Sequence, residues 1–246
     1  GAGERRSNTT GGASRERIQD RAGRGGGEAT PSPFSLERDG LVVGEGAGIL
    51  VLETESHARK RGATILAELA GYASTADAFH ITAPSENGEG GARAMLAALE
   101  VAGANPGDVD YINAHGTGTP LNDKSETFGV KSAFGEDAYN LTISSTKSMT
   151  GHMMGATGAL ECAMLVKAVN ENKVPPTILH HTPEPELEPD YILNEAHDPH
   201  MALAHSNSLD YGRPHVVIAI HYSRTQAPPS VTHLRFRSSK PCHLDM

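Results

Sequence analysis

Tryptophan is absent from this chain, and all aromatic residues together make up 4% of its 246 positions. That leaves little for stacking on nucleic-acid bases. Cysteine is nearly as scarce: Cys162 and Cys242 are the two present. Two thiols make no disulfide framework, so a reduced, cytoplasmic protein is the default expectation. No run approaches the roughly 18 apolar residues that a transmembrane helix needs, so no membrane partner is expected. The N-terminus has neither the apolar core of a secretory signal nor the Ser-rich, acid-poor character of a transit peptide. Apolar residues are 37% of the chain, modest for its length, while glycine is frequent at 27 residues.

Positive charge is missing where it would matter for nucleic acid. Residues 1–30 hold six Arg, no Lys and four acids, and residues 223–246 hold four basic residues and one acid. The middle, residues 33–222, is left with 11 basic and 25 acidic residues, a net of −14. Neutralising phosphates needs Lys and Arg, so nucleic acid is excluded as the partner of this middle. The Gly-, Ser- and Arg-rich head lacks hydrophobic period and aromatics and reads as a flexible tail.

What is present in the middle is an alternation of strand and helix patterns. "DGLVVGEGAGILVLET", Asp39 to Thr54, predicts strand, glycine turn, then strand or helix start. "ESHARKRG" predicts a charged helix ending at Gly62, and "ATILAELAGYAST" a strand. "GEGGARAMLAALEVAGANPGDVD" predicts an amphipathic helix with Ala94, Leu96, Ala97, Leu99 and Val101 on its apolar side, ending at Gly103. "VDYINAHG" reads as a short buried strand, "DKSETFGVKSAFG" as a helix capped by Asp123 or Asn122, and "NLTISSTKS" as another strand. "GATGALECAMLVKAVNENKVPP" predicts a long helix stopped by Pro175 and Pro176. "HMALAHSNS" and "HVVIAIHY" supply the last two strands. Strands alternating with helices imply an α/β layered fold.

Chemistry concentrates at strand-to-helix junctions, where α/β proteins place their sites. His115 follows one strand end, and Thr117 and Thr119 flank Gly118, which lets a ligand approach the backbone. Either histidine by itself is as readily structural, and the Gly/Thr cluster as readily a plain turn. His152 sits at a second junction, five residues after Lys147 and nine before Glu161. Glu161 lies among Ala, Leu, Cys and Met, so it needs a buried partner, and Lys147 is the natural one. The two histidines lack further ligands at a metal-binding spacing, so no metal is expected.

Four blocks, "RDGLVVGEGAGILVLE", "NAHGTGTPLND", "SSTKSMTGHMMGATGALE" and "VPPTI", resemble the elongating β-ketoacyl-acyl-carrier-protein synthases, the 3-oxoacyl synthase II-like condensing enzymes of fatty-acid biosynthesis. The likeness runs from about residue 33 to 222. It implies a thiolase-like α/β fold, here the C-terminal half of duplicated α-β-α-β-α layers. The domains it implies are a non-homologous Arg/Gly-rich head (1–32), a ketosynthase C-terminal domain (33–222) and an irregular tail (223–246). The implied activity is an acyltransferase: decarboxylative Claisen condensation of malonyl-carrier protein with an acyl thioester. By resemblance, His115 and His152 stabilise the malonyl enolate, Lys147 is a third catalytic residue and Glu161 its salt-bridged support. Thr117, Thr119 and Thr82 would line the substrate arm, and Asn207 and Tyr211 would belong to the gate loop. No cofactor is implied; substrates ride on the phosphopantetheine of acyl carrier protein, the implied partner, alongside a homodimer mate or a missing N-terminal half.

The departures are specific. No "TACSS"-like turn carries the family's nucleophilic cysteine; Cys162 sits inside a helix beside Glu161 and reads as a buried, inert thiol. The family's "NSFGFGG" loop reads "NSLDYGRP" here, with Asp210 bringing negative charge and Pro214 removing a donor. Three readings follow: a fragment or mis-framed piece of a synthase; a non-condensing malonyl decarboxylase or inactive partner; and a carrier-protein-binding subunit, which the acidic middle disfavours. Half of a duplicated fold also exposes the surface that faces its twin, so oligomerisation or poor solubility is expected.

Overall fold

The computed structural model describes residues 31–222 except 39, 81–82, 181, 186, 188–193, 197–200 and 210–213. Residues 1–30 of the expected head, the expected tail, Thr82, Asp210, Tyr211 and Cys242 lie outside the described residues, while Pro31 and Ser32 are buried. In chain order the elements are α1 (Glu55–Lys60), β1 (Ala67–Thr75), α2 (Glu89–Ala102), β2 (Tyr111–Asn113), α3 (Pro120–Phe134), β3 (Thr142–Ser144), α4 (Lys147–Thr150), α5 (Thr157–Glu171), β4 (Leu203–Ser208) and β5 (His215–Tyr222).

The strands form one sheet in the order β1-β5-β4-β2-β3. β2 runs parallel to both β3 and β4, while β5 runs antiparallel to β4 and β1. Successive strand residues face opposite sides, and each side has its own core. Ile112, Leu203 and Ala219 pack with α2 and α3 residues such as Met95, Leu99 and Val130. Their neighbours Tyr111, Ala204 and Ile220 pack with Cys162, Leu165 and Val169 of α5. The result is the three-layer α/β arrangement that the alternating pattern implied.

Three sequence expectations are corrected. On α2 the buried stripe is Ala94, Met95, Ala98 and Leu99, whereas Leu96 and Val101 are 43% and 65% exposed. The sheet accepts the residues at i, i+1, i+4 and i+5, one helical face, and not every apolar residue in the run. α5 stops at Asn172, which takes a left-handed conformation (φ 51°), before the prolines are reached. The segment around Gly44, Gly46 and Gly48 makes no turn, and none of the three has a positive φ. Its glycines serve close passage instead. A Cβ on Gly44 would lie 2.2 Å from the Thr150 carbonyl oxygen, and one on Gly46 2.4 Å from Met153 Sδ. A lone bridge, Val43 to His152, ties this segment to the body.

His205 on β4 is fully buried, and neither ring nitrogen has a hydrogen-bond partner among the described residues. Burial pushes its pKa from 6.5 down to about 4. An unsatisfied buried polar group costs about 1–3 kcal/mol, so His205→Leu is expected to stabilise by that order at pH 7. Unfolded histidine takes its proton below pH 6.5 while the folded one waits until about pH 4. Through His205 the wild type therefore loses about 1.4 kcal/mol of stability per unit across that window as pH falls, a contribution the variant lacks. Urea unfolding of both proteins at pH 7 and 5 measures the difference; a gap that shrinks on acidification contradicts the assignment.

Candidate active site

Parallel neighbours end at the same edge, so β2 and β3, paired Asn113 to Ser144, open their C-terminal loops side by side. Asn113 ties the two loops: its Oδ1 accepts from the Thr146 amide at 3.3 Å and the Thr146 hydroxyl at 3.2 Å. The first loop carries His115 and the second Lys147 and His152. The His115 loop needs glycine twice, at Gly116 (φ 37°) and Gly118 (φ 79°). At Gly116 a Cβ would also meet the Ser145 side chain at 2.5 Å, and the Ser145 hydroxyl instead donates to the Gly116 carbonyl at 2.7 Å.

The two histidines meet edge to face, with ring centroids 5.3 Å apart and planes at 86°. His115 is buried, and its pKa is driven well below 6.5 by desolvation first and then by the Lys147 charge. His152 is held at about 4 by the same two causes in the same order. Both rings are therefore neutral at physiological pH. The His152 backbone is clamped by residues 42–44: its N–H donates to the Val42 carbonyl at 2.7 Å, and its carbonyl accepts from Gly44 at 3.0 Å. Its Nδ1 accepts from the Met154 amide at 3.1 Å, which puts the ring proton on Nε2 and leaves that N–H to donate.

Lys147 and Glu161 pair as the sequence suggested. The Nζ–Oε1 distance is 2.6 Å, and both side chains are essentially buried. Burial raises Glu161 to about 7 against the opposing pull of Lys147. The pair bolts α4 to α5 on either side of His152. Thr117 and Thr119, both buried, share a hydrogen bond of 3.0 Å. Thr119 is also the α3 N-cap, accepting from the Asn122 amide at 3.3 Å, so it and not Asp123 or Asn122 starts the helix.

Two acids that sequence reasoning left out prove central. Glu126 is buried and accepts both the His115 and Gly116 amides at 2.8 Å, one on each carboxylate oxygen. Asp123, also buried, accepts the Phe34 amide at 2.8 Å and the Gly118 amide at 3.2 Å. Burial raises both acids' pKa, and the amide bonds oppose it. In the sequence, "PLNDKSET" shows only a polar helix start, with nothing local to mark either acid as buried. Asn207, at the end of β4, donates to Glu126 at 3.2 Å, which places it beneath the His115 loop. Cys162 lies on α5, buried in the core, and desolvation raises its thiol pKa, the reverse of what activates a nucleophile. It is the one cysteine among the described residues.

A crossed pair of neutral imidazoles at the ends of two parallel strands, backed by a buried Lys–Glu pair, is a site for stabilising negative charge on an oxygen. The family described as Beta-ketoacyl synthase, C-terminal domain, matches residues 66–181. The chain carries the C-terminal domain of a β-ketoacyl synthase. It is 51% identical over 191 residues to 3-oxoacyl-[acyl-carrier-protein] synthase 2 of Staphylococcus aureus strain COL, covering 78% of this chain and 46% of that protein. Synthase 2 of Synechocystis sp. is 49% identical over 187 residues, 76% of this chain and 45% of the relative. The chain thus spans about half the length of the curated relatives it matches.

Solved ketosynthases share the thiolase-like fold. A type II polyketide ketosynthase in complex with its acyl-carrier protein superposes with a TM-score of 0.77 at 42% identity, covering 79% of this chain and 48% of that one. A β-ketoacyl synthase from Burkholderia phymatum STM815 gives 0.75 at 40% identity, over 79% and 47%. Among the described residues no helix of this chain is long and apolar enough to cross a membrane.

Proposed function

We propose that this chain supplies the decarboxylating half of a fatty-acid-type condensing site, acting on a malonyl thioester carried by acyl carrier protein. The observation that carries the reading is the His115–His152 pair, neutral and 5.3 Å apart, with the His152 Nε2–H available. In the reaction the bond between the malonyl carboxylate and its methylene breaks. CO2 leaves, and the electron pair passes into the thioester as an enolate. The two imidazole N–H groups donate to the enolate oxygen as its charge develops. With an acyl thioester in place, the enolate carbon attacks its carbonyl and expels the thiolate; otherwise the carbon takes a proton and an acetyl thioester results. Lys147 acts by position, holding the His152 turn and keeping both rings unprotonated. Thr117 and Thr119 form a polar edge suited to the phosphopantetheine arm, which is how substrate and carrier protein would be held without any bound cofactor.

A second reading, malonyl decarboxylation without condensation, is favoured for the chain by itself because Cys162 is buried and its thiol pKa is raised. Mass spectrometry of the carrier protein separates the two. The chain with malonyl- and acyl-carrier protein is expected to form acetyl-carrier protein and no 3-oxoacyl product, unaffected by prior iodoacetamide. A 3-oxoacyl product abolished by iodoacetamide overturns the assignment of Cys162; no acetyl product at all overturns the decarboxylating reading.

A further inference from the structure

Two buried acids of α3 hold the loop 115–119 at different points. Glu126 accepts the amides at its front, His115 and Gly116, at 2.8 Å. Asp123 accepts the Gly118 amide at its back, at 3.2 Å. Gly118 is the left-handed residue (φ 79°) between Thr117 and Thr119, whose hydroxyls lie 3.0 Å apart. The acids also differ in what faces them. Glu126 has a neutral donor, the Asn207 amide, at 3.2 Å. Asp123 has a cation: Arg38 Nε lies 3.7 Å from its Oδ2, with the two side chains 5% and 0% exposed.

Arg38 belongs to a stretch that wraps the back of the loop. The Phe34 amide donates to Asp123 at 2.8 Å, and the Gly40 amide to the Gly118 carbonyl at 3.0 Å. A Cβ on Gly118 would lie 3.1 Å from the Gly40 carbonyl oxygen and 3.2 Å from Pro31 Cβ. The guanidinium joins this stretch to the loop's end. Its Nη1 donates to the Ser35 carbonyl at 2.9 Å and pairs with Glu184, while Nη2 reaches the Pro120 carbonyl at 3.4 Å. A cation withdrawn from water is costly unless its charge is met and its donors are used. Here both are spent on the part of the loop that carries the threonines, and none on His115.

We propose that Arg38 is a positioning residue for the phosphopantetheine arm. It touches no substrate. Through Asp123 and the Pro120 carbonyl it sets the Thr117–Thr119 edge, while His115 is held independently by Glu126. The loop therefore has two anchors with separate duties, one for holding the arm and one for the chemistry. This inference rests on the reading that the threonine edge receives the arm.

The test compares calorimetric titration of the chain with holo carrier protein, which bears the arm, and with apo carrier protein, which lacks it. The wild type is expected to bind the holo form about tenfold more tightly, the worth of one or two hydroxyl hydrogen bonds. Arg38→Met is expected to erase that ratio and leave apo binding unchanged. Arg38→Lys keeps the charge but not the fork, so it should fold even if Arg38→Met does not, and show an intermediate ratio. In turnover, Arg38→Met should raise KM for malonyl-carrier protein about tenfold and spare kcat, whereas Glu126→Gln should lower kcat and keep the holo preference. A wild type without holo preference, or an Arg38→Lys ratio equal to wild type, overturns the proposal. Equal losses of holo and apo binding, or of kcat and KM together, mark a merely structural arginine and overturn it too, as does a holo preference lost equally in Glu126→Gln. Binding is read without turnover: a chain that prefers the holo form yet releases no CO2 keeps this inference and overturns the decarboxylating reading.

Discussion

His152→Ala and His115→Ala are each expected to slow CO2 release from malonyl-carrier protein by about 100- to 1,000-fold, the usual consequence of removing one donor to a developing oxyanion. In the proposed reaction both rings, 5.3 Å apart, serve the same oxygen. Groups that act as a unit are non-additive. The double variant is therefore expected to fall little further than either single one, far short of the product of the two losses. His152→Gln tests the geometry: its amide N–H can donate from about the same reach, so it should recover part of what alanine loses. Rates for His115→Ala and His152→Ala that match wild type within threefold would remove the pair from the mechanism. A double loss equal to the product of the singles would mean that they act on separate atoms.

Lys147→Met is expected to cost about 3 kcal/mol of stability, because it leaves Glu161 buried without its partner. The pair is close, 2.6 Å, and withdrawn from water on both sides. Glu161 already stands near 7 with the lysine's help, and without that charge it rises further. A carboxyl whose folded pKa lies above its unfolded value of 4.5 makes the protein lose stability as pH climbs through that interval. The deficit of Lys147→Met should accordingly be larger at pH 8 than at pH 5. Lys147→Met/Glu161→Leu, which removes both charges, should recover most of the loss. The same lysine depresses both histidines, so in Lys147→Met the acid limit of the decarboxylation profile should move upward. A merely structural lysine would lower stability without moving that limit. Denaturant unfolding at the two pH values and the rate profile decide between them.

Much of this was legible in the residues. The alternating pattern gave the layers, and the Glu161 carboxylate inside an apolar helix called for the lysine that the structure puts against it. His115 and His152 stood at strand ends, where such sites form. Glu126 and Asp123 were not legible because "PLNDKSET" is locally an ordinary polar helix start. Their burial comes from residues far away in sequence: Phe34, whose amide Asp123 accepts, and Asn207, which reaches Glu126. On α2, composition marked five apolar residues, but only contact with the sheet selects which of them are covered. "GILVLET" reads as a strand or helix start, yet residues 48–54 form neither here. Its pattern calls for cover on both faces that this part of the fold does not provide. Thr119 displaced Asp123 as the helix cap because Pro120 occupies the first helical position and sets the start one turn earlier.

The central claim is that two neutral imidazoles, and not imidazolium ions, stabilise the malonyl enolate. The most direct measurement is the pH dependence of labelled CO2 release from malonyl-carrier protein by the wild-type chain. The account predicts a rate that is level from pH 8 down to about pH 5 and falls as His152 takes its proton near 4. A rate that changes with a midpoint near 6.5, the ordinary value for histidine, would contradict it.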